Sequence, residues 1–343
     1  PGAGDCRPSC PCDPPAYCNE HGACVEDCGR PEICNGFDDD CDEVTDEEDD
    51  GPLCADGATC EGGTCSGGTE GEWDATFIGE GASQALDVAF GPEGSVVAVG
   101  YCTGAIDLGD GEESCLDISD GFVVALGPDG SYRWHHLLTG MGQVMATAVA
   151  VGGDGVVHVV GEFQSELDVG TESLLSPEER AVFITSFDVE GTYLGGSAFG
   201  AWNSIHATDV TTSEDGAAFF VGYGGDGVDD DGFVARWHEL SLSTLPIVIG
   251  GTGLDQPHAV AVTPEGGIVV AGWSLGELNL GAGTIPNIDG TGADGFVAAF
   301  DPEGNFLWPA WTFGGPGHVS PLGLALTAEH LVLAGTIEGA AEI

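Results

Sequence analysis

Lysine is absent from these 343 residues, and arginine occurs only five times, at Arg7, Arg30, Arg133, Arg180 and Arg236, against 58 acidic side chains. Phosphate backbones and anionic lipid surfaces are gripped by clustered positive charge, so nucleic acid and membrane surfaces fall away as partners and cations come forward. Apolar runs of about 18 residues are missing as well, which excludes a helical membrane insertion. Paired C-x-x-C spacing never occurs, which argues against zinc. Helical periodicity is lacking, so the folded part is expected to be all-β. No signal sequence precedes Pro1, and the chain reads as a processed or truncated segment.

What is present divides into two regions. Eleven of the 13 cysteines lie between Cys6 and Cys65, among Asp, Glu, Gly and Pro. That density belongs to disulfide-stapled modules of oxidising compartments, so an extracellular or outer-surface location is expected. Thirteen is odd, which leaves at least one thiol free, intermolecular or paired outside the chain. Residues 1–66 are therefore read as a small, loop-dominated head with an acidic segment at 32–50, and "SGGTEGE" as a linker over about 67–72. From residue 73 onward the composition turns to Val, Ala, Phe and Trp. The 42% hydrophobic content argues that this acidic chain folds.

Beyond the linker the sequence repeats. "GPEGSVVAVG", "GGDGVVHVVG", "SEDGAAFFVG" and "TPEGGIVVAG" place Gly100, Gly161, Gly222 and Gly272 in register, and "AEHLVLAG" adds Gly335. A second anchor at Phe122, Phe183, Phe233 and Phe296 opens a short apolar strand after "DG" or its equivalent. Each unit supplies four strand-sized runs punctuated by Pro-Glu-Gly or Pro-Asp-Gly turns. Units of this length and content fit the four-stranded blades of a β-propeller. Four complete blades and a partial fifth are expected. The connections Gly100–Asp120, Gly161–Ala181, Gly222–Asp231 and Gly272–Asp294 are expected to be long loops sharing one face.

On these residues the region resembles the bacterial SBBP β-propeller repeats, with "AVTPEGGIVVAG", "LNLG" and "DGFVAAFDPEGNFLW" the best matches. The third unit departs from that pattern, with "HELSLS" in place of a glycine turn. Ile343 falls where another "D-L-G" element would stand, which implies a longer parent protein.

Several motifs imitate chemistry. "GWSLG", Gly272 to Gly276, satisfies G-x-S-x-G, but a nucleophile elbow needs strand, turn and helix, and "GYCTG" and "GTIEG" replace it in other units. Ser274 is therefore read as a variable repeat position. "GTGADG", Gly290 to Gly295, imitates a dinucleotide fingerprint yet opens no helix. His206 and His258 start inner strands and are read as strand-end polar residues that could approach one another. His135 and His136 point to opposite faces of one strand. Cys102 and Cys115 share the first connection and are expected to form a disulfide. Asp226, Asp229, Asp230 and Asp231 crowd into "GGDGVDDDG", read first as a solvated turn and second as a calcium loop. No catalytic constellation is identified, and no organic cofactor is implied.

In "EICNGFDDDCDEVTDEEDD", Asp38, Asp40 and Asp42 alternate like side-chain calcium ligands. Val44 can offer its carbonyl, and Asp46 and Glu47 follow. Position 12 of a strict EF-hand fails, and Glu43 stands where a tight turn wants glycine. The competing reading is a solvated acidic linker, which predicts neither alternation nor enclosed cysteines. The stretch resembles the MopE-type metal-binding motif, matching at Glu32, Cys34, Asn35, Gly36, Asp38, Asp39, Asp40, Cys41, Asp42, Asp46 and Glu47. That resemblance implies a loop clamped by a Cys34–Cys41 disulfide, with calcium favoured because the ligands are hard oxygens. The function expected is a secreted or surface-displayed calcium-binding scaffold whose propeller face recognises an extracellular protein or glycan. The alternative is an extracellular propeller lyase or hydrolase.

Overall fold

The computed structural model describes residues 73, 75–77 and 79–339, apart from 201, 203, 282, 289–291, 308–309 and 328–329. Residues 116–117, 244–246 and 248, and four short strands near the N-terminus, are described by backbone alone. The chain divides into two compact units, Pro1–Asp74 and Ala75–Ile343. In the first, β1 (Ala16–Cys18) pairs antiparallel with β2 (Cys24–Glu26), and β3 (Thr59–Glu61) with β4 (Thr64–Ser66). The acidic segment, with Asp38, Asp40, Asp42, Val44, Asp46, Glu47, Cys34 and Cys41, lies outside the described residues.

The second unit is all-β, built from antiparallel strands. β5 (Ser83–Phe90), β6 (Val96–Asp107), β7 (Glu112–Leu126) and β8 (Tyr132–Gly140) form a meander. β9 (Val144–Val151), β10 (Val157–Asp168), β11 (Ser173–Phe187) and β12 (Tyr193–Phe199) form the next. β13 (Ser204–Thr212), β14 (Ala218–Gly225) and β15 (Asp230–His238) continue into β16 (Ser241–Val262), whose first part pairs with β15. Its second part opens a fourth meander with β17 (Ile268–Asn279), β18 (Thr284–Ile285), β19 (Asp294–Phe300) and β20 (Trp311–Phe313). A final hairpin joins β21 (His318–Leu326) to β22 (Leu331–Glu338).

Local chemistry explains this regularity. The first turn of each complete meander closes in the same way, with Gly91 N–H donating to the Ser95 carbonyl at 2.8 Å and Thr263 N–H to that of Gly267 at 2.8 Å. Asp188 and Asp301 cap the later turns by accepting backbone N–H bonds from Thr192 and Asn305, both at 2.7 Å. Where "HELSLS" lacks glycine, Glu239 (φ 49°) and Leu240 (φ 57°) both adopt the left-handed conformation. A two-residue hairpin between paired His238 and Ser241 demands that geometry.

The first strand of every unit carries a bulge at the same place, leaving Leu86, Thr147, Thr208, His258 and Leu322 as the extra residues. Beside the bulge the neighbouring backbone comes so close that a Cβ at Gly100, Gly161, Gly222, Gly272 or Gly335 would collide with a carbonyl oxygen. The repeat glycines are thus a consequence of close approach.

Each junction between successive meanders has its own apolar core. Val97, Val99 and Val123 pack with Val149, Val159 and Phe183; Val160 and Ile184 with Phe220 and Trp237. Phe219 and Val221 pack with Val270 and Phe296; Val269 and Val297 with Leu331 and Leu333. The first strands of successive units are also tied directly. Asp87 Oδ2 accepts from Val149 N–H (2.9 Å), and Asp209 Oδ2 from Val260 N–H (2.7 Å). The bulged Thr147 and Thr208 donate to the carbonyls of Ala207 (2.9 Å) and Pro257 (2.8 Å).

The long loops expected between the second and third strands of the first two units are instead strand extensions. Pairing continues to Asp107–Glu112 and Asp168–Ser173, leaving four-residue tips. Ile106, Leu108, Leu167, Val169 and Leu174 are buried there, so the alternation of the second and third strands simply runs on.

Candidate functional site

The sequence-selected residues have distinct fates. Cys102 and Cys115 form the expected disulfide, with Cα atoms 5.9 Å apart. In the Asp226–Asp231 loop the carboxylates mostly bind their own backbone. Asp226 Oδ1 accepts from Val228 and Asp229 N–H, which holds its carboxyl below the ordinary value. Asp230 Oδ1 accepts from Gly227 N–H (2.7 Å), and Asp229 Oδ1 from Gly253 N–H (2.8 Å). Burial raises Asp231, with further repulsion from Asp229 and Asp230. Among the described residues no three acidic, imidazole or thiol side chains are grouped to hold a metal ion. His135 and His136 point apart, His135 bonding the Tyr132 hydroxyl (2.9 Å) and His136 reaching the Gly191 carbonyl (2.7 Å).

A more coherent site forms where each repeat glycine is followed by a residue paired with the first strand of its unit. That position holds Tyr101, Glu162, Tyr223, Trp273 and Thr336, opposite Gln84, Met145, His206, Gln256 and Ser320. The frame repeats and these side chains do not. Glu162 is 7% exposed, and its Oε2 lies 2.8 Å from His206 Nδ1 and 3.1 Å from an Arg180 guanidinium nitrogen. These are ion-pair contacts without hydrogen-bond alignment, the His206 contact being charged only when the ring is protonated. Arg180 also donates to Gln143 Oε1 at 3.2 Å, and His206 Nε2 lies 3.1 Å from Ser204 Oγ.

From His206 the line continues through rings. Tyr223 lies 5.0 Å from the His206 ring and 6.2 Å from that of His258. Trp273 Nε1–H donates to His258 Nε2 at 3.1 Å, and the Trp273 ring is 5.4 Å from His318. Because Nε2 of His258 accepts that bond, the ring is neutral with its proton on Nδ1, and burial lowers its pKa in the same sense. Burial raises the Tyr223 hydroxyl, helped by Glu162 and Asp230, so it remains a donor. His206 and His258 thus share one belt but are separated by the Tyr223 ring.

Chemically the belt combines ring faces with hydrogen-bonding tips, and the Arg180 guanidinium in it is paired with Glu162. The two histidines were legible as candidates in the sequence, whereas Glu162, Arg180, Tyr223 and Trp273 were not. The available signal was column variability: one aligned position holds Tyr, Glu, Tyr, Trp and Thr beside an invariant glycine of the repeat.

These features define a repeat-built, all-β protein with a polar, aromatic belt along the first two strands of its units. No protein-family model matches the sequence, and no curated protein does. Among solved structures, the chain is similar to a Bacteroides caccae protein of unknown function at 10% identity and TM-score 0.27, covering 67% of this chain and 82% of that one. It is also similar to Sqt1 from Chaetomium thermophilum at 12% identity and TM-score 0.29, covering 66% of this chain and 70% of that one. Likenesses this faint carry no argument about function.

Proposed function

We propose that the meanders are blades of a β-propeller and that the protein is an extracellular binding scaffold, its belt recognising a neutral, hydroxyl-rich ligand such as a glycan. Support for the ring comes from Asp87 and Asp209. They sit on the first and third inner strands, yet the charge of Asp87 contributes to the raised pKa of Asp209, as expected if inner strands surround one axis. Calcium is assigned to residues 32–47 on the MopE-like pattern, and secretion on cysteine density.

The observation that carries the binding reading is the belt itself: Glu162, His206, Tyr223 and Trp273 depart from one another on a frame that otherwise repeats. Aromatic faces with polar tips suit ligands that are apolar on one side and hydrogen-bonding on the other. The surrounding negative charge disfavours anions. The test is calorimetric titration of the full chain, disulfides intact, with a panel of neutral oligosaccharides. Trp273→Ala and Tyr223→Ala should each weaken binding about tenfold in protein that remains folded. Binding unchanged from the parent in both variants, or no binding across the panel, overturns the reading. An enzymatic reading draws on the Glu162–His206 pair as acid and base, and cleavage of a bound oligosaccharide would favour it.

A further inference from the structure

Asp255 stands where three of the four equivalent strands bury an apolar residue, the first placing an exposed Ser83 there. Its apolar equivalents are Val144, Ile205 and Val319, exposed by 0%, 0% and 3%, and Asp255 itself is 0% exposed. Across the sheet Asp255 on β16 opposes Ser274 on β17, which opposes Asp294 on β19. Directly opposed residues share a face at about 5 Å between Cβ atoms, so a hydroxyl lies between two carboxylates. All three are enclosed, with Ser274 3% and Asp294 4% exposed.

Four of their oxygens, Asp255 Oδ1 and Oδ2, Ser274 Oγ and Asp294 Oδ1, are buried without a hydrogen-bond partner. Asp294 Oδ2 accepts from Ile288 N–H at 2.5 Å. Ser274 is near enough to lower the Asp255 carboxyl somewhat, but no aligned bond joins them; burial dominates and pushes it up to about 7, with Asp231 and Asp229 adding repulsion. No ion pair among the described residues brings Arg to the group. A cavity of about 10 Å³, lined in part by Gly276, Leu278, Asn287, Ser274 and Asp294, adjoins it. That is about the room one water-sized sphere needs.

Orphaned buried carboxylates are strongly unfavourable, and the repeat offers valine or isoleucine for the same slot. An arrangement made only of hard oxygens, without a protein cation, is answered by a hard metal ion that draws its remaining ligands from backbone carbonyls and water. We propose that Asp255, Ser274 and Asp294 bind a calcium ion that ties the fourth meander together, separately from any calcium in residues 32–47.

The experiment counts calcium bound to the chelator-treated full chain by calorimetry and follows the melting temperature with and without calcium. Asp40→Asn serves to remove the head contribution. In the Asp40→Asn background, Asp255→Val should abolish one calcium equivalent and the calcium-linked rise in melting temperature, and should raise the melting temperature of the calcium-free protein. Ser274→Ala, a milder change, should weaken that equivalent about tenfold while preserving the fold. Retention of the equivalent and of the rise in both variants overturns the site and leaves Asp255 as a buried neutral acid, as does the absence of any such equivalent in the parent.

Discussion

Replacing Asp209 by Asn tests the energetic account of the ties between the first strands of the units. Asp209 accepts from Val210 N–H (2.8 Å) and Val260 N–H (2.7 Å), and burial nonetheless pushes its carboxyl from 3.8 up to about 7, with Asp87 repelling it further. The folded protein therefore holds a proton on Asp209 through a window, about pH 4 to 7, in which the unfolded chain has released it. Stability from this group falls as pH rises through that window. A shift of about three units at about 1.4 kcal/mol each sets a ceiling near 4 kcal/mol. Asp209 keeps some accessible surface, so solvent screening brings the expected change to about 2 kcal/mol.

Urea unfolding at constant ionic strength, from about pH 3.5 to pH 8, measures it as a difference, because the titration of other carboxylates largely cancels between parent and Asp209→Asn. The variant carries a pH-independent penalty, since its amide cannot accept at both places. Relative to the variant, the parent should lose about 2 kcal/mol between the two pH values. A parent-minus-variant difference that is flat with pH refutes the reasoning.

Two further outcomes follow from packing and covalent structure. Exchanging both Cys102 and Cys115 for Ser opens a 13-residue span and should lower stability by about 3 kcal/mol; a reductant should reproduce this loss in the parent, and no loss in either sample contradicts it. Phe220, 0% exposed between the second and third meanders, should lose about 3–5 kcal/mol on substitution by Ala, seen as a lowered urea midpoint. A loss below about 1 kcal/mol would mean that this junction is not tightly packed.

Much of the repeat was legible in advance because its causes are local. A two-residue apolar period, Pro-Glu-Gly turns and glycines at a constant offset report strand geometry within one unit. The extent of the hairpins was not. The stretch from Gly100 to Asp120 is rich in Gly, Glu and Asp and reads as loop, yet Ile106 and Leu108 bury themselves and draw the strands onward. The belt was legible only in its histidines. Glu162 and Arg180 gain meaning when the neighbouring unit brings His206 within 2.8 Å of Glu162.

By itself, then, the sequence determined the all-β character, the repeat register, the Cys102–Cys115 pairing and the turns, since each depends on residues close in the chain or on a simple period. Tertiary structure alone decided which bulged threonine reaches which neighbouring carbonyl, how Tyr223 separates the two histidines, and that Asp255 falls into a slot filled elsewhere by Val144 and Ile205. Those relations arise between units, where one residue of bulge shifts which side chain faces which. No local pattern encodes that offset, and stacking the sheets is what brings it to expression.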